Sequence, residues 1–137
     1  MTAAVEDIGA AIVTEVETLL TAYNVDVVRG WPQWGEPTFE SPTASLILSG
    51  LQLPGRVGRN ERAWLWRLIL LADNEPQLWE MAEILAAWFS GTDGNAKRLT
   101  VSGGDARIVY GESDRYQSLT GNPDEDGLSF VFSTVTQ

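Results

Sequence analysis

The chain has no cysteine and no histidine, and only one of its basic residues, Lys97, is a lysine. Without cysteine there can be no disulfides, thiolate metal sites or cysteine nucleophile. Without histidine the commonest general base and the commonest metal ligand are gone, and the usual Ser-His-Asp triad with them. Any catalysis is left to carboxylates, hydroxyls and one amine. Long apolar runs are missing too. Leu65 to Ala72, broken by Arg67, falls far short of the roughly 20 residues of a membrane helix. Met1 to Ala10 has no base and is interrupted by Glu6 and Asp7, unlike a secretory leader. The expectation is a soluble protein, not an enzyme, with no catalytic, cofactor-binding or metal-binding residues and no membrane partner.

Positive charge is scarce: 19 acids face 9 bases, a formal charge of −10, so the mean field repels nucleic acid and anionic membrane. The bases are unevenly placed. Residues 1–28 hold Glu6, Asp7, Glu15, Glu17 and Asp26 with no base, whereas Arg56, Arg59, Arg62 and Arg67 cluster within twelve positions. Such polarity suits head-to-tail contact between copies, with the acidic first helix, including Glu15 and Glu17, facing the arginines. Pairing within the chain or with solvent, an acidic face on a neighbouring protein, and phosphates are the three readings of the cluster. Nucleic acid is the weakest of them, because no stacking aromatics are interleaved with the arginines.

A chain of 137 residues fits one domain, residues 1–137, and can bury roughly two-thirds of its unfolded surface. Val5, Ile8, Ile12, Val16, Leu19, Leu20 and Tyr23 recur at three- and four-residue spacing, the period of an amphipathic helix over about residues 3–22, with Gly9 as its weak point. Residues 25–29 read as a short strand. GWPQWGEPTFESP then reads as an irregular loop, where Trp31 and Trp34 either fold back over the core edge or anchor a partner.

Thr43 to Leu53 and Glu61 to Leu71 read as two strands of about eleven residues, roughly twice the usual length, joined by a Pro-Gly turn. In the second of them Trp64, Trp66, Leu68 and Leu70 share one face and Ala63, Leu65, Ile69 and Leu71 the other. Both faces need cover, one from helices and the other from a neighbouring subunit. Asp73 or Asn74 is placed to cap a helix running to about Phe89. Residues 97–102, 106–112 and 128–135 read as further strands, and Ser113 to Asp126 as a polar loop. The sum is an α+β domain: a mostly antiparallel mixed sheet of four to six strands with a long central hairpin and two helices packed on one face.

Three chemical patterns fail on spacing. Asp124, Glu125 and Asp126 do not fit the twelve-residue calcium loop and read as a solvated turn. Gly55 and Gly58 lack the Lys-Ser/Thr of a phosphate cradle, and GRVGRN leads into a strand, unlike a dinucleotide fingerprint.

The segments VEDIGAAIVTEVETLL, ERAWLWRLILLA, PQLWEMAEILAAWF and LSFVFSTV follow in that order from Val5 to Val135, a span of nearly the whole chain. This succession of helix, short strand, long hairpin, helix and further strands resembles the tail-terminator, tail-completion or head-tail joining proteins of long-tailed bacteriophages. The resemblance implies a structural virion protein, assembled in the host cytoplasm. It implies a ring, typically a hexamer, that caps the tail tube and meets the tube protein on one side and the head connector on the other. It implies no cofactor and no sequence-specific nucleic-acid binding. The family has no strict functional residues to carry over, so the interface candidates remain those read from the residues themselves: Trp31, Trp34, Arg56, Arg59, Arg62, Arg67, Glu15 and Glu17. The alternatives are another neck or minor tail component, or a non-phage protein-binding module without catalytic activity; a small carboxylate enzyme is the remaining class.

Overall fold

The computed structural model describes residues 4–29, 43–52, 62–72, 75–91, 97–101, 104–116 and 127–136. Helix α1 is Val5–Leu19, with Ile8, Ile12 and Val16 on its buried stripe and Glu6 and Asp7 in the first turn, where the helix dipole favours acids. A 3-10 turn at Thr21–Tyr23 follows and ends on Asn24, whose φ of 54° is the left-handed conformation that Asn tolerates. Strand β1 is Asp26–Arg29, β2 is Thr43–Gln52 and β3 is Arg62–Leu71. Helix α2 is Glu75–Ser90, followed by β4 at Arg98–Val101, β5 at Gly104–Tyr116 and β6 at Gly127–Thr136. The expected caps at Asp73 and Asn74 lie outside the described residues.

The six strands form one sheet in the order β1-β2-β3-β6-β5-β4. Among the described residues only the β1–β2 pair is parallel. Among the described strands the two of four residues, β1 and β4, sit at the edges, which keeps the unpaired ladder groups few. The long β2–β3 hairpin occupies the middle with β6, so the expected α+β architecture holds.

Cross-strand register explains which side chains meet. Leu46, Leu68 and Phe130 stand opposite one another, as do Leu48, Trp66 and Phe132, and this face receives both helices. Phe89 of α2 packs on Phe130 and Phe132 with ring centroids 5.7 and 5.0 Å away. Gly9, the weak point of the α1 pattern, is buried where the Arg29 guanidinium crosses the helix, and a Cβ there would lie 2.7 Å from Arg29 Nη1. The same guanidinium lies 5.8 Å from the centroid of the Trp66 ring.

Two expectations need correction. The second face of the Glu61 to Leu71 strand does not wait whole for a neighbouring subunit: Ile69 and Leu71 are already buried within the chain and form a small second cluster with Ile47. Only the Ala63 and Leu65 half stays partly accessible. The polar stretch beginning at Ser113 is not all loop, because β5 continues to Tyr116. A bulge between Tyr110 and Glu112 shifts the register, and a Cβ on Gly111 would come within 2.9 Å of the Val131 carbonyl oxygen. Backbone pairing with β6, and not apolar content, makes this half a strand.

Candidate interface surfaces

The residues singled out in the sequence do not converge. Trp31, Trp34, Arg56 and Arg59 lie outside the described residues. Glu17 is exposed on α1. Glu15, on the same helix, turns inward. Its Oε1 is 2.9 Å from Lys97 Nζ and accepts from Trp88 Nε1 at 3.4 Å, so it ties α1 to both α2 and the start of β4. Both charges of that pair remain about one-third exposed, so its contribution is of order 0–1 kcal/mol. Arg62 is exposed at the start of β3, where its carbonyl accepts from Thr136 Oγ1 at 3.5 Å. Arg67 stands on the opposite side of the sheet, half-buried, between Ile47 and Val131 in register.

Assigning charges to elements shows a pattern that the count along the chain concealed. Helix α1 carries Glu6, Asp7, Glu15 and Glu17, helix α2 carries Glu75, Glu80 and Glu83, and neither helix has a base. Every base among the described residues lies on a strand or, like Lys97, leads into one. Both helices pack on the same face of the sheet, so linear composition becomes an acidic outer layer.

The outer side of α2 presents Glu75, Trp79 and Glu83 at four-residue spacing, with Glu80 beside them. Trp79 is 49% exposed, and its indole N–H donates to Glu75 Oε1 at 3.4 Å. A single exposed aromatic is ordinary on a protein surface, and what sets this side of α2 apart is the acids at one-turn spacing around it.

The helix-free face of the sheet has two halves. One holds the buried Ile47, Ile69 and Leu71. In the other, Leu65, Ser133 and Val109 align across β3, β6 and β5, next to the row of Ala63, Val135 and Arg107. Val109 is 44% exposed, and Ala63, Leu65, Val131 and Val135 are half-buried. Arg107 stands directly opposite Arg98 of β4, both are exposed, and neither makes an ion pair among the described residues. Like charges facing each other across two strands destabilise a sheet unless something answers them. Sequence reasoning did not single out Trp79, Arg98 or Val109; the absence of bases from both helical segments was the available signal.

A shallow groove of about 510 Å³ lies between α1 and β4, lined by Ala10, Ala11, Thr14, Glu15, Lys97 and Arg98, with Thr100. Among the described residues no helix is long and apolar enough to cross a membrane. No protein-family model matches the chain, and no curated protein is significantly similar to it.

Proposed function

We propose that this chain is the subunit of a ring that caps the tail tube of a long-tailed bacteriophage, ends its polymerisation and joins it to the head connector. The observation that carries the reading is the element order: a helix, a short parallel strand, a long central hairpin, a second helix on the same face and three further strands. Its support is a likeness of architecture. The surface is compatible with the role, since an excess of acids keeps passing DNA from adhering to a ring. In this reading the chain performs no catalysis and holds no cofactor. It acts in the tail or neck of the virion, with a second copy, the tube protein and the connector as partners.

A second reading, a monomeric peptide-binding module, is favoured by the groove beside β4, which pairs with β5 alone among the described residues. One experiment separates the two. The purified chain is mixed with polymerising cognate tube protein, and tube length and tube ends are read by electron microscopy. The ring reading expects shortened tubes carrying a ring at one end. Unchanged lengths with bare ends would remove it.

A further inference from the structure

The acidic outer side of α2 and the open half of the sheet lie on opposite sides of the molecule, because α2 packs its inner stripe on the other face of that sheet. One is a stripe of acids around an exposed tryptophan, Trp79, with Glu75 and Glu83 one turn to either side and Glu80, whose Oε2 also accepts from the Tyr23 hydroxyl at 3.2 Å, next to it in the helix. The other is an apolar patch, Leu65, Val109 and Val135, bordered by Arg98 and Arg107. We propose that copies of this chain associate head to tail, with the outer side of α2 of one copy seated on the open half of the sheet of the next. The proposal rests on the reading of the chain as a ring subunit and names the two surfaces that meet.

Charge selects this pairing. A two-fold contact through the sheet face would set Arg98 and Arg107 of one copy against the same residues of the other, and a two-fold contact through α2 would oppose acid to acid. Juxtaposed like charges suppress both. The head-to-tail arrangement places Glu80 and Glu83 against arginines that have no ion-pair partner among the described residues of their own chain. It also lets the Trp79 ring cover the valines, a large rigid aromatic on an apolar centre with a charged rim. Asp105 and Glu112 border the same face on β5 and set where the acids of α2 cannot sit. A contact between two different surfaces leaves a free copy of each on every subunit, so it propagates until the rotation closes a ring.

The test is a charge swap followed by sedimentation velocity across protein concentration. The sheet variant carries Arg98→Glu and Arg107→Glu; the helix variant carries Glu80→Arg and Glu83→Arg. Each alone is expected to weaken association by roughly a hundredfold. An equimolar mixture restores it, because reversed helices then meet reversed sheets and wild-type helices meet wild-type sheets in alternation. Circular dichroism checks folding. If a charge variant fails to fold, Trp79→Ser decides, with an expected weakening of roughly tenfold. Wild-type association in either charge variant, a mixture that stays dissociated, unchanged association in Trp79→Ser, or a wild-type chain that stays monomeric at every concentration overturns the pairing. Association that survives the reversals would leave the ring standing with other contact surfaces, whereas tube capping is decided separately on tubes.

Discussion

Trp64 and Trp66 lie two residues apart on the same side of β3, yet their indole N–H groups have opposite situations. Trp66 is fully buried and donates from Nε1 to Thr134 Oγ1 at 2.9 Å. Trp64 stands directly across from Thr134 in register, but its Nε1 is buried with no acceptor among the described residues. A buried donor stripped of its partner costs about 1–3 kcal/mol. The near-isosteric Thr134→Val is therefore expected to destabilise the fold by that amount, a shift of roughly 3–10 °C in Tm for a domain of this size. In a Trp66→Phe background the same change is expected to be close to neutral, because no donor is left stranded. That leaves a coupling of about 1 kcal/mol or more between the two positions. Trp64→Phe loses part of a ring but also removes an unsatisfied donor, so it should fall within about 1 kcal/mol of wild type. Urea unfolding followed by far-ultraviolet circular dichroism reads all of these without relying on tryptophan emission. Protein concentration must be held constant, since contacts between copies would add apparent stability. A Thr134→Val cost equal in both backgrounds, or a Trp64→Phe cost matching that of Trp66→Phe, would refute the reasoning.

Gly9→Ala should gain about 1 kcal/mol of helix propensity only in an Arg29→Ala background, because in wild type the new Cβ displaces the guanidinium that lies 2.9 Å or less away; paired urea titrations check it. Gly127→Ala is expected to cost about 1–3 kcal/mol or more, since the Cβ would collide with the Leu70 carbonyl oxygen and with Leu71 Cδ2, and a wild-type melting temperature would sink this account. Burial, together with the hydrogen bond to Glu80 and the charge of that carboxylate, raises the Tyr23 phenol above its ordinary value of 10.0. The folded state then holds this proton more tightly than the unfolded one, so the linked stability is intact below the ordinary value and is lost as pH rises through the raised one. Glu80→Gln should bring the tyrosinate absorbance transition down, and an unmoved Tyr23 transition would contradict the assignment.

Period and punctuation carried most of the fold. The α1 stripe and the β2 and β3 alternation were legible because each buries one set of positions at a fixed spacing, and the observed ends differ from the expected ones by a few residues. The continuation of β5 to Tyr116 was not legible. Glu112, Ser113 and Asp114 are exposed, so no apolar alternation announces a strand that is held by the ladder with β6 across a glycine bulge. Glu15 shows the corresponding limit for the candidate surface. Its charge placed it on an acidic helix, but only the fold could bring the single lysine, Lys97, within 2.9 Å of it.

The two-faced strand β3 shows why an interface and a core can look alike in sequence. Two helices cover one face of the sheet over most of its length and bury Trp66, Leu68 and Leu70, whereas Leu48 and Leu51 toward the far end of β2 stay 40% and 44% exposed. On the other face the chain buries Ile69 and Leu71 but leaves Ala63 and Leu65 half-covered, a change that falls within one uninterrupted ten-residue strand. The apolar period of this face runs through both halves except at Arg67, which falls between Leu65 and Ile69 where the change occurs. Charge marks it. Beside the buried half the face holds Ser45 and Ser129, both fully or nearly fully buried, whereas the half-covered end has Arg98 and Arg107 facing one another across β4 and β5. An incomplete core would gain nothing from two like charges at its border. In the head-to-tail pairing proposed above, such a surface gains from both the apolar centre and the arginines, with acids supplied by the outer side of α2 around its tryptophan.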